Sequence, residues 1–322
     1  MGKFYLWIAA FFALVIGSWF VVKQTVPKQH VRVYPALATA IPADTKILAG
    51  LQIEKIKQTR LFKKLVEERQ IPAIDRFARE TGIDIRKNVY EVVLASNGTD
   101  TIVLASGKFA ELSSSTGQNT QELRPHTQIQ GERMVLMPYK GMSLIGNPNA
   151  AACFLNNATV MAGSTQALKR AIDLREKNPM APQDLLALAR GLPGEDQFWL
   201  VSTLGIDRML PSIPLGSFGK MRSIPVKLDR VTGSGQVGLG FHLKLALDSS
   251  DAKSIEQMST ALKGLVALAR INTPETEREL MRLLDSVRVG ADDKTVRVGL
   301  DVPDDLIEKF LNDRRFTSSA PE

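Results

Sequence analysis

The side chains that most often act as nucleophiles, general bases or soft metal ligands are scarce in this sequence. Its 322 residues contain one cysteine, Cys153, and three histidines, His30, His126 and His242. A single cysteine excludes an intrachain disulfide and a thiolate zinc cluster. A general base also needs a group that orients it, and no histidine has an evident partner near it in the sequence. The sequence therefore predicts no catalytic residue, no metal ligand and no cofactor-binding residue.

The surroundings of these side chains favour structural roles. Cys153 lies in the apolar run AACFL, which predicts a buried thiol that packs as a small hydrophobic group. His242 lies on an alternating strand and faces away from the core, so we expect a surface histidine. His126 belongs to the polar stretch 111–131, and His30 belongs to a polar stretch near the N-terminus.

Two kinds of motif match known chemistry in their letters alone. The segment Gly233–Gly238 fits G-x-G-x-x-G, but the dinucleotide site needs a following helix, and a strand follows here. We interpret its glycines as a turn or bulge with a close approach of two backbones. Ser217–Lys220 and Ser250–Lys253 fit S-x-x-K but lack the companion motifs of that enzyme class.

The N-terminus indicates a membrane anchor. Residues 4–22 carry no charge and, at ~1.5 Å per residue, a helix over them would span ~28 Å, close to a hydrocarbon core. Tyr5, Trp7 and Trp19 lie near its ends, where aromatic side chains prefer the interface. A cleaved signal peptide is the alternative, but bulky residues occupy the expected cleavage site. We therefore expect the chain to contact the lipid bilayer through residues 4–22.

The net charge of +7 is unevenly distributed. Residues 1–34 contain Lys3, Lys23, Lys28, Arg32 and no acidic residue, so +4 belongs to this segment and +3 to the remaining 288 residues. Nucleic-acid binding needs a clustered basic face, so we expect no nucleic-acid partner. The short N-terminal tail is typical of a signal-anchor that exports the downstream chain, although the positive-inside count slightly favours a cytoplasmic body. We predict a single-pass protein of the inner or cytoplasmic membrane with an extracytoplasmic body.

Alternating and helical hydrophobic patterns predict an α+β body after a proline-containing stalk. Predicted strands cover 46–53, 89–96, 101–106, 134–137, 142–145, 152–155, 159–162, 197–203, 237–247 and a hairpin over 287–302. Predicted helices are two over 59–81, one over 164–177, a short one from 183, two over 250–285 and one that opens at Pro303. Thr59, Ser164 and Ser250 are the predicted N-caps.

Because strands follow strands and helices follow helices, we expect two antiparallel-sheet lobes of plait-like, duplicated build. In this interpretation strand 46–53, helices 59–81 and hairpin 89–106 correspond to strand 237–247, helices 250–285 and hairpin 287–302. The predicted domains are an anchor over 1–23, a stalk over 24–45, a first lobe over 46–190, a second lobe over 191–316 and a disordered tail over 317–322.

One apolar, Pro- and Gly-rich segment is a candidate partner contact. It contains Met209, Leu210, Ile213, Leu215 and Phe218. Such a segment is typical of an exposed contact loop, and equally of an irregular segment that covers a sheet.

The chain resembles uncharacterised membrane-anchored bacterial proteins of duplicated α+β architecture. The resemblance rests on Ile41-Pro42-Ala43-Asp44, Thr81-Gly82-Ile83-Asp84 and Ala162-Gly163-Ser164, which mark turns and caps beside strands and helices. It implies an exported, tethered domain and supplies no catalytic residues. We therefore expect a single-pass, membrane-tethered binding or scaffold protein, such as an accessory subunit of an envelope complex. A membrane-anchored enzyme of unrecognised type and a cytoplasm-facing regulatory module are the alternatives.

The anchor makes a direct prediction. The chain is expected to stay with the membrane pellet after high-salt and carbonate washes, because burial of an apolar helix is not screened by salt. Immunoblotting of pellet and supernatant measures this. Release of a shortened chain that begins near residue 41 would show a cleaved signal instead.

Overall fold

The computed structural model describes residues 33, 35–59, 62–63, 84–109, 128–129, 132–133, 135–177, 181–204, 227–238 and 240–312. Within them the helices are α1 (Pro35–Ala38), α2 (Ile53–Lys57), α3 (Ile85–Asn88), α4 (Thr165–Lys177), α5 (Gln183–Arg190), α6 (Ala252–Asn272), α7 (Arg278–Asp285) and α8 (Asp304–Asn312). The strands of the first half are β1 (Ile47–Gln52), β2 (Val89–Ser96), β3 (Thr101–Gly107), β4 (Gln128–Ile129), β5 (Glu132–Arg133), β6 (Val135–Tyr139), β7 (Met142–Gly146), β8 (Ala151–Asn156) and β9 (Thr159–Gly163). Those of the second half are β10 (Phe198–Ser202), β11 (Arg230–Gly238), β12 (Gly240–Asp248), β13 (Val287–Ala291) and β14 (Thr295–Pro303).

The fold is α+β, as predicted, and is built on one large antiparallel sheet. Twelve of the described strands lie in it in the order β13-β14-β12-β11-β10-β1-β2-β3-β9-β8-β7-β6, while β4 and β5 pair separately. Instead of two separate sheets, the predicted lobes share one, because β10 pairs with β1 on one side and with β11 on the other. The predicted boundary between lobes, at residues 190–191, lies where α5 ends, and the sheet continues across it.

Strand order is alike on the two sides of the β1–β10 pair for four strands, and β7 and β6 extend one side only. The hairpins β2–β3 and β8–β9 follow on one side, and the hairpins β11–β12 and β13–β14 follow on the other. The predicted correspondence between strand 46–53 and strand 237–247 is therefore wrong: β1 occupies the place of β10, and β12 is the second strand of a hairpin. The register of the ladders, which the sequence pattern does not contain, decides this.

The two faces of the sheet are covered by different helices. On the front face, α1, α4 and α5 enclose a core that includes Leu48, Val93, Leu104 and Met161. On the back face, α8 covers a cluster around Phe241 and Val302, and the first turns of α6 cover another around Leu247 and Val296. Because α4 and α8 lie on opposite faces, the symmetry of the strands does not extend to the helices.

Aromatic–glycine pairs hold the central strand β10 on both faces. Trp199 lies directly opposite Gly50 of β1, and Phe198 lies directly opposite Gly235 of β11. A Cβ atom at either glycine would overlap the ring of its partner. The predicted close approach at Gly233–Gly238 is therefore confirmed, but the predicted turn or bulge is wrong, since β11 passes through these residues as a regular strand.

Most predicted helix starts are found, with two local corrections. Thr59 Oγ1 accepts from the Phe62 amide at 3.2 Å and Ser164 Oγ accepts from the Ala167 amide at 3.1 Å, as N-caps do. The cap of α6 is Asp251 instead of Ser250, because its carboxylate accepts from two backbone amides. The second of the two helices predicted over 250–285 begins at Arg278. Most of the segment 59–81, where two helices are predicted, lies outside the described residues.

The packing at the centre of the sheet can be tested with glycine substitutions. Gly50→Ala is expected to lower the free energy of unfolding by about 1–3 kcal/mol, because the methyl group must displace the Trp199 ring. Urea unfolding of the detergent-solubilised chain measures the change. Gly264→Ala on α6 is the control, since nothing lies within 4 Å of its added Cβ and alanine favours a helix. Equal losses for both variants would contradict this packing.

Candidate functional site

The residues singled out by their chemistry lie in different parts of the structure. Cys153 is fully buried on the front face, and burial raises the pKa of its thiol to about 11. A thiol with a raised pKa is a poor nucleophile at neutral pH. His30 and His126 lie outside the described residues. So do residues 4–22 and the predicted contact residues Met209, Leu210, Ile213, Leu215 and Phe218.

His242 has a partner that the sequence did not indicate. The register of β12 and β14 places it opposite Asp301, and its Nδ1 lies 2.7 Å from Asp301 Oδ1. The two residues are 59 positions apart, so only the ladder brings them together. Asp301 also lies 3.8 Å from Arg288 on β13, on the same front face. We interpret the three side chains as a cross-strand network on the open polar side of the sheet.

A cluster of ionisable groups lies beside the β1–β10 pair. Lys55 of α2 donates a hydrogen bond to the Gly194 carbonyl, and Glu195 and Asp196 follow in the same loop. Burial lowers the pKa of Lys55, against the opposing effect of the nearby carboxylates Asp196, Glu195 and Glu91. Burial also raises the pKa of Asp196, although the side chains of Ser234 and Gln236 donate to its carboxylate. The cluster holds the loop that leads into β10.

Charged side chains also line a shallow cleft on the front face. The cleft contains about 260 Å³ of empty space between α4 and the β2–β3 turn. The Arg170 guanidinium lies 2.9 Å from Asp44 and 3.2 Å from Asp100, and Asn97 donates to Asp44 at 2.8 Å. Because both carboxylates already bind Arg170, this arrangement fixes α4 to the turn. Among the residues that the structure describes, no group of three or more His, Cys, Asp and Glu could hold a metal ion.

The second half of α6 is the most exposed apolar element of the described chain. Leu268 and Ile271 are 56% and 79% exposed, and Lys263 and Arg270 are the only charged residues between Ala261 and Ile271. The fully buried residues of α6 end at Ser259. A helix that is apolar on nearly all sides is usually covered on all sides. This half of α6 is therefore an incompletely covered surface.

The helix that follows, α7, combines partly buried apolar residues with exposed ion pairs. α7 has no fully buried residue. Arg270 binds Asp285 at 2.7 Å, and two further pairs join α7 to α8: Arg282–Asp305 at 2.7 Å and Lys309–Glu279 at 2.8 Å. Exposed ion pairs contribute little, about 0–1 kcal/mol each. The aliphatic side chains between α6, α7 and the sheet are partly buried, and they are Leu262, Leu265, Val266, Leu280, Met281, Leu283, Leu284, Val287 and Val289.

α6 packs along β13, the last strand at its end of the sheet. We define the α6–β13 surface as Gly264, Ala267, Leu268 and Ile271 together with the open edge of Val287–Ala291. Among the residues that the structure describes, exposed apolar side chains of α6 and a strand edge without a neighbour are both present there, and both favour binding to another molecule. The hydrophobic spacing of α6 predicted only its inward side, because exposure of the outward side depends on the elements that pack nearby.

Comparison with known proteins supports the fold. No model of a protein family matches the chain, and no curated protein does. Crystal form III of TP0453 is similar, with a TM-score of 0.50 at 9% identity, over 90% of this chain and 99% of that one. Forms I and IV give TM-scores of 0.45 at the same identity, over 86% and 85% of this chain and 97% and 96% of those. At this identity the likeness shows a shared α+β fold and nothing finer.

The raised pKa of Asp196 gives a pH-dependent prediction. Because folding favours the protonated carboxyl, this residue lowers stability as the pH rises through its folded-state pKa. Asp196→Asn is therefore expected to raise the urea midpoint near pH 7 and leave it almost unchanged near pH 3. Asp229→Asn is the control with the opposite sign, since hydrogen bonds from Ser250 lower the pKa of Asp229. A lower midpoint near pH 7 for Asp196→Asn would contradict the assignment.

Proposed function

We propose that this chain is a single-pass, membrane-tethered interaction protein, an accessory or scaffold subunit of an envelope complex. The observation that carries the proposal is the α6–β13 surface, where Leu268 and Ile271 are more than half exposed beside an open sheet edge. Exposure of apolar area costs roughly 25 cal/mol per Å², so a partner that covers it gains this free energy. The contact that the sequence predicts at residues 209–218 lies outside the described residues and stays a prediction.

The tether rests on the sequence. Residues 4–22 have the length and apolar composition of a spanning helix, and Lys3 and Lys23 flank them. Among the described residues, no helix is both long and apolar enough to cross a bilayer, and residues 4–22 are not among them. The layout of the N-terminus favours an extracytoplasmic body at the inner or cytoplasmic membrane.

The chemistry of the surface favours a protein partner over the bilayer itself. An open strand edge presents N–H and C=O groups that need hydrogen bonds, and hydrocarbon cannot supply them. A partner protein can cover the apolar residues of α6 and pair with the edge at once. Arg288 is 79% exposed beside that edge, which also suits a polar and charged rim.

The proposal is tested by removing the apolar contact. We expect wild-type protein, extracted gently from membranes, to have a particle mass well above the 35.4 kDa of one chain in native mass spectrometry. The double variant Leu268→Ser with Ile271→Ser is expected to shift most of it to single chains, because these side chains contribute to binding and little to the isolated fold.

The matched control is Val135→Ser. Val135 is also an exposed apolar residue, 42% exposed, but it lies on β6 at the other end of the sheet. Its mass distribution is expected to equal that of the wild type. Single wild-type chains, or the same loss with the control, would overturn the proposal.

A further inference from the structure

The two ends of the sheet differ in how their edges are protected. Within the described residues, β6 and β13 each have a neighbour on one side only. β6 turns into β7 through Lys140 and Gly141, both with positive φ, so Tyr139 and Met142 form the hydrogen-bonded pair that closes a two-residue turn. The backbone groups of Pro138 therefore point away from β7, toward the open edge. Because proline has no N–H, this residue cannot donate a hydrogen bond to another strand there. Proline at this position blocks pairing.

β13 has no proline at its edge, and Arg288 is its one charged residue. Its sequence is Val-Arg-Val-Gly-Ala, without proline or lysine, and its register with β14 is regular. The Asp292 amide donates to the Thr295 carbonyl and the Asp301 amide donates to the Ser286 carbonyl. Since hydrogen-bonded pairs alternate in an antiparallel ladder, Arg288 and Gly290 direct their backbone groups to β14. Val287, Val289 and Ala291 direct theirs outward.

The order of side chains along β13 is self-complementary. In an antiparallel pair of two β13 strands centred on Val289, Val287 lies opposite Ala291 of the partner subunit and Arg288 lies opposite Gly290 of the partner subunit. All outward N–H and C=O groups of the three apolar residues are then paired. The one charged residue of the strand meets a glycine, so two arginines do not face each other across the symmetry axis. Nothing lies within 4 Å of a Cβ atom added to Gly290, so space for the long arginine side chain exists.

The apolar side of the same strand continues onto α6. Val287 and Val289 face the partly buried layer beneath this helix, and α6 itself exposes Leu268 and Ile271. A symmetric pair of β13 strands brings two copies of this helix to the same interface. Pairing of the β13 edges sets the relative direction and register of the two strands. Burial of the exposed α6 residues adds apolar contact area to the interface.

We propose that the partner bound at the α6–β13 surface is a second copy of this chain, joined through antiparallel β13 strands into one continuous sheet. This inference rests on the proposed function, because it names the partner for the same surface. The contact is isologous, as in most two-fold dimers.

A charge-reversal pair at Gly290 tests the register. Gly290→Glu places a carboxylate opposite Arg288 of the partner subunit, and Gly290→Arg places a like charge there. Because the contact occurs twice per dimer, we expect the dissociation constants of the two variants to differ about tenfold or more, with wild type between them. Sedimentation of the full chain in detergent at several concentrations measures this. Circular dichroism of each variant verifies the fold, because residue 290 also faces Arg297 of its own chain.

Cross-linking provides a second, independent readout. Opposed Val289 residues would have Cα atoms about 5.5 Å apart, within the range of a disulfide. Val289→Cys is therefore expected to form an oxidised dimer in membranes, while Val135→Cys on the protected edge is not. Native Cys153 is buried and stays in both variants.

Each outcome distinguishes this inference from the proposed function. Dimers that respond to the sign of the charge at residue 290, together with selective cross-linking at residue 289, support it. The β13 register is overturned if the dissociation constant of the dimer does not depend on the charge at residue 290, or if cross-linking is equal at both edges. A larger particle that depends on Leu268 and Ile271 but contains one copy of this chain would overturn the second copy and leave the proposed function standing.

Discussion

The packing of β10 against its two neighbours is the constraint on which the rest of the fold depends. Trp199 uses the space above Gly50, and Phe198 uses the space beside Gly235 on the opposite face. The Phe198 ring also stacks on Phe241 at 5.9 Å between centroids, which extends the contact to β12. Without these glycines the two large rings would push the strands apart. Their pairing makes a single sheet from two groups of hairpins.

Burial decreases from this centre toward β13, and the decrease explains where the candidate surface lies. Central strands are covered on both faces, so β2 is buried at nearly every position. At β13 the front face is open, and the back face is covered by α6 and α7, whose inward apolar residues in this region are partly buried. The ion pairs around α7 fix its position, but they do not exclude water from the aliphatic layer. The end of the sheet is thus folded yet incompletely covered.

The sequence predicts the elements well and their arrangement poorly. The strands predicted at 89–96 and 101–106, the strands β6 to β9 and the Ser164 cap depend on neighbouring residues, and each is found. Pairing of β1 with β10 joins residues about 150 positions apart, and no local pattern specifies it. For the same reason, no local pattern identifies Asp301 as the partner of His242. In the sequence alone, the glycines of β11 suggest a turn. The structure shows that Gly235 makes space for the ring of Phe198, which lies on another strand.

An open sheet edge is usually a liability, and among the described residues Pro138 guards the β6 edge while β13 contains no proline. The proposed membrane tether offers a physical reason for this difference between the two edges. Two copies held in the same membrane meet at a much higher effective concentration than free copies, and with fewer relative orientations. A short strand pair with a small apolar contact can then associate, although five residues of edge would give weak binding in solution. An anchor of this kind would also keep the edge away from most other chains, which would reduce the risk that the strand pairs with the wrong partner.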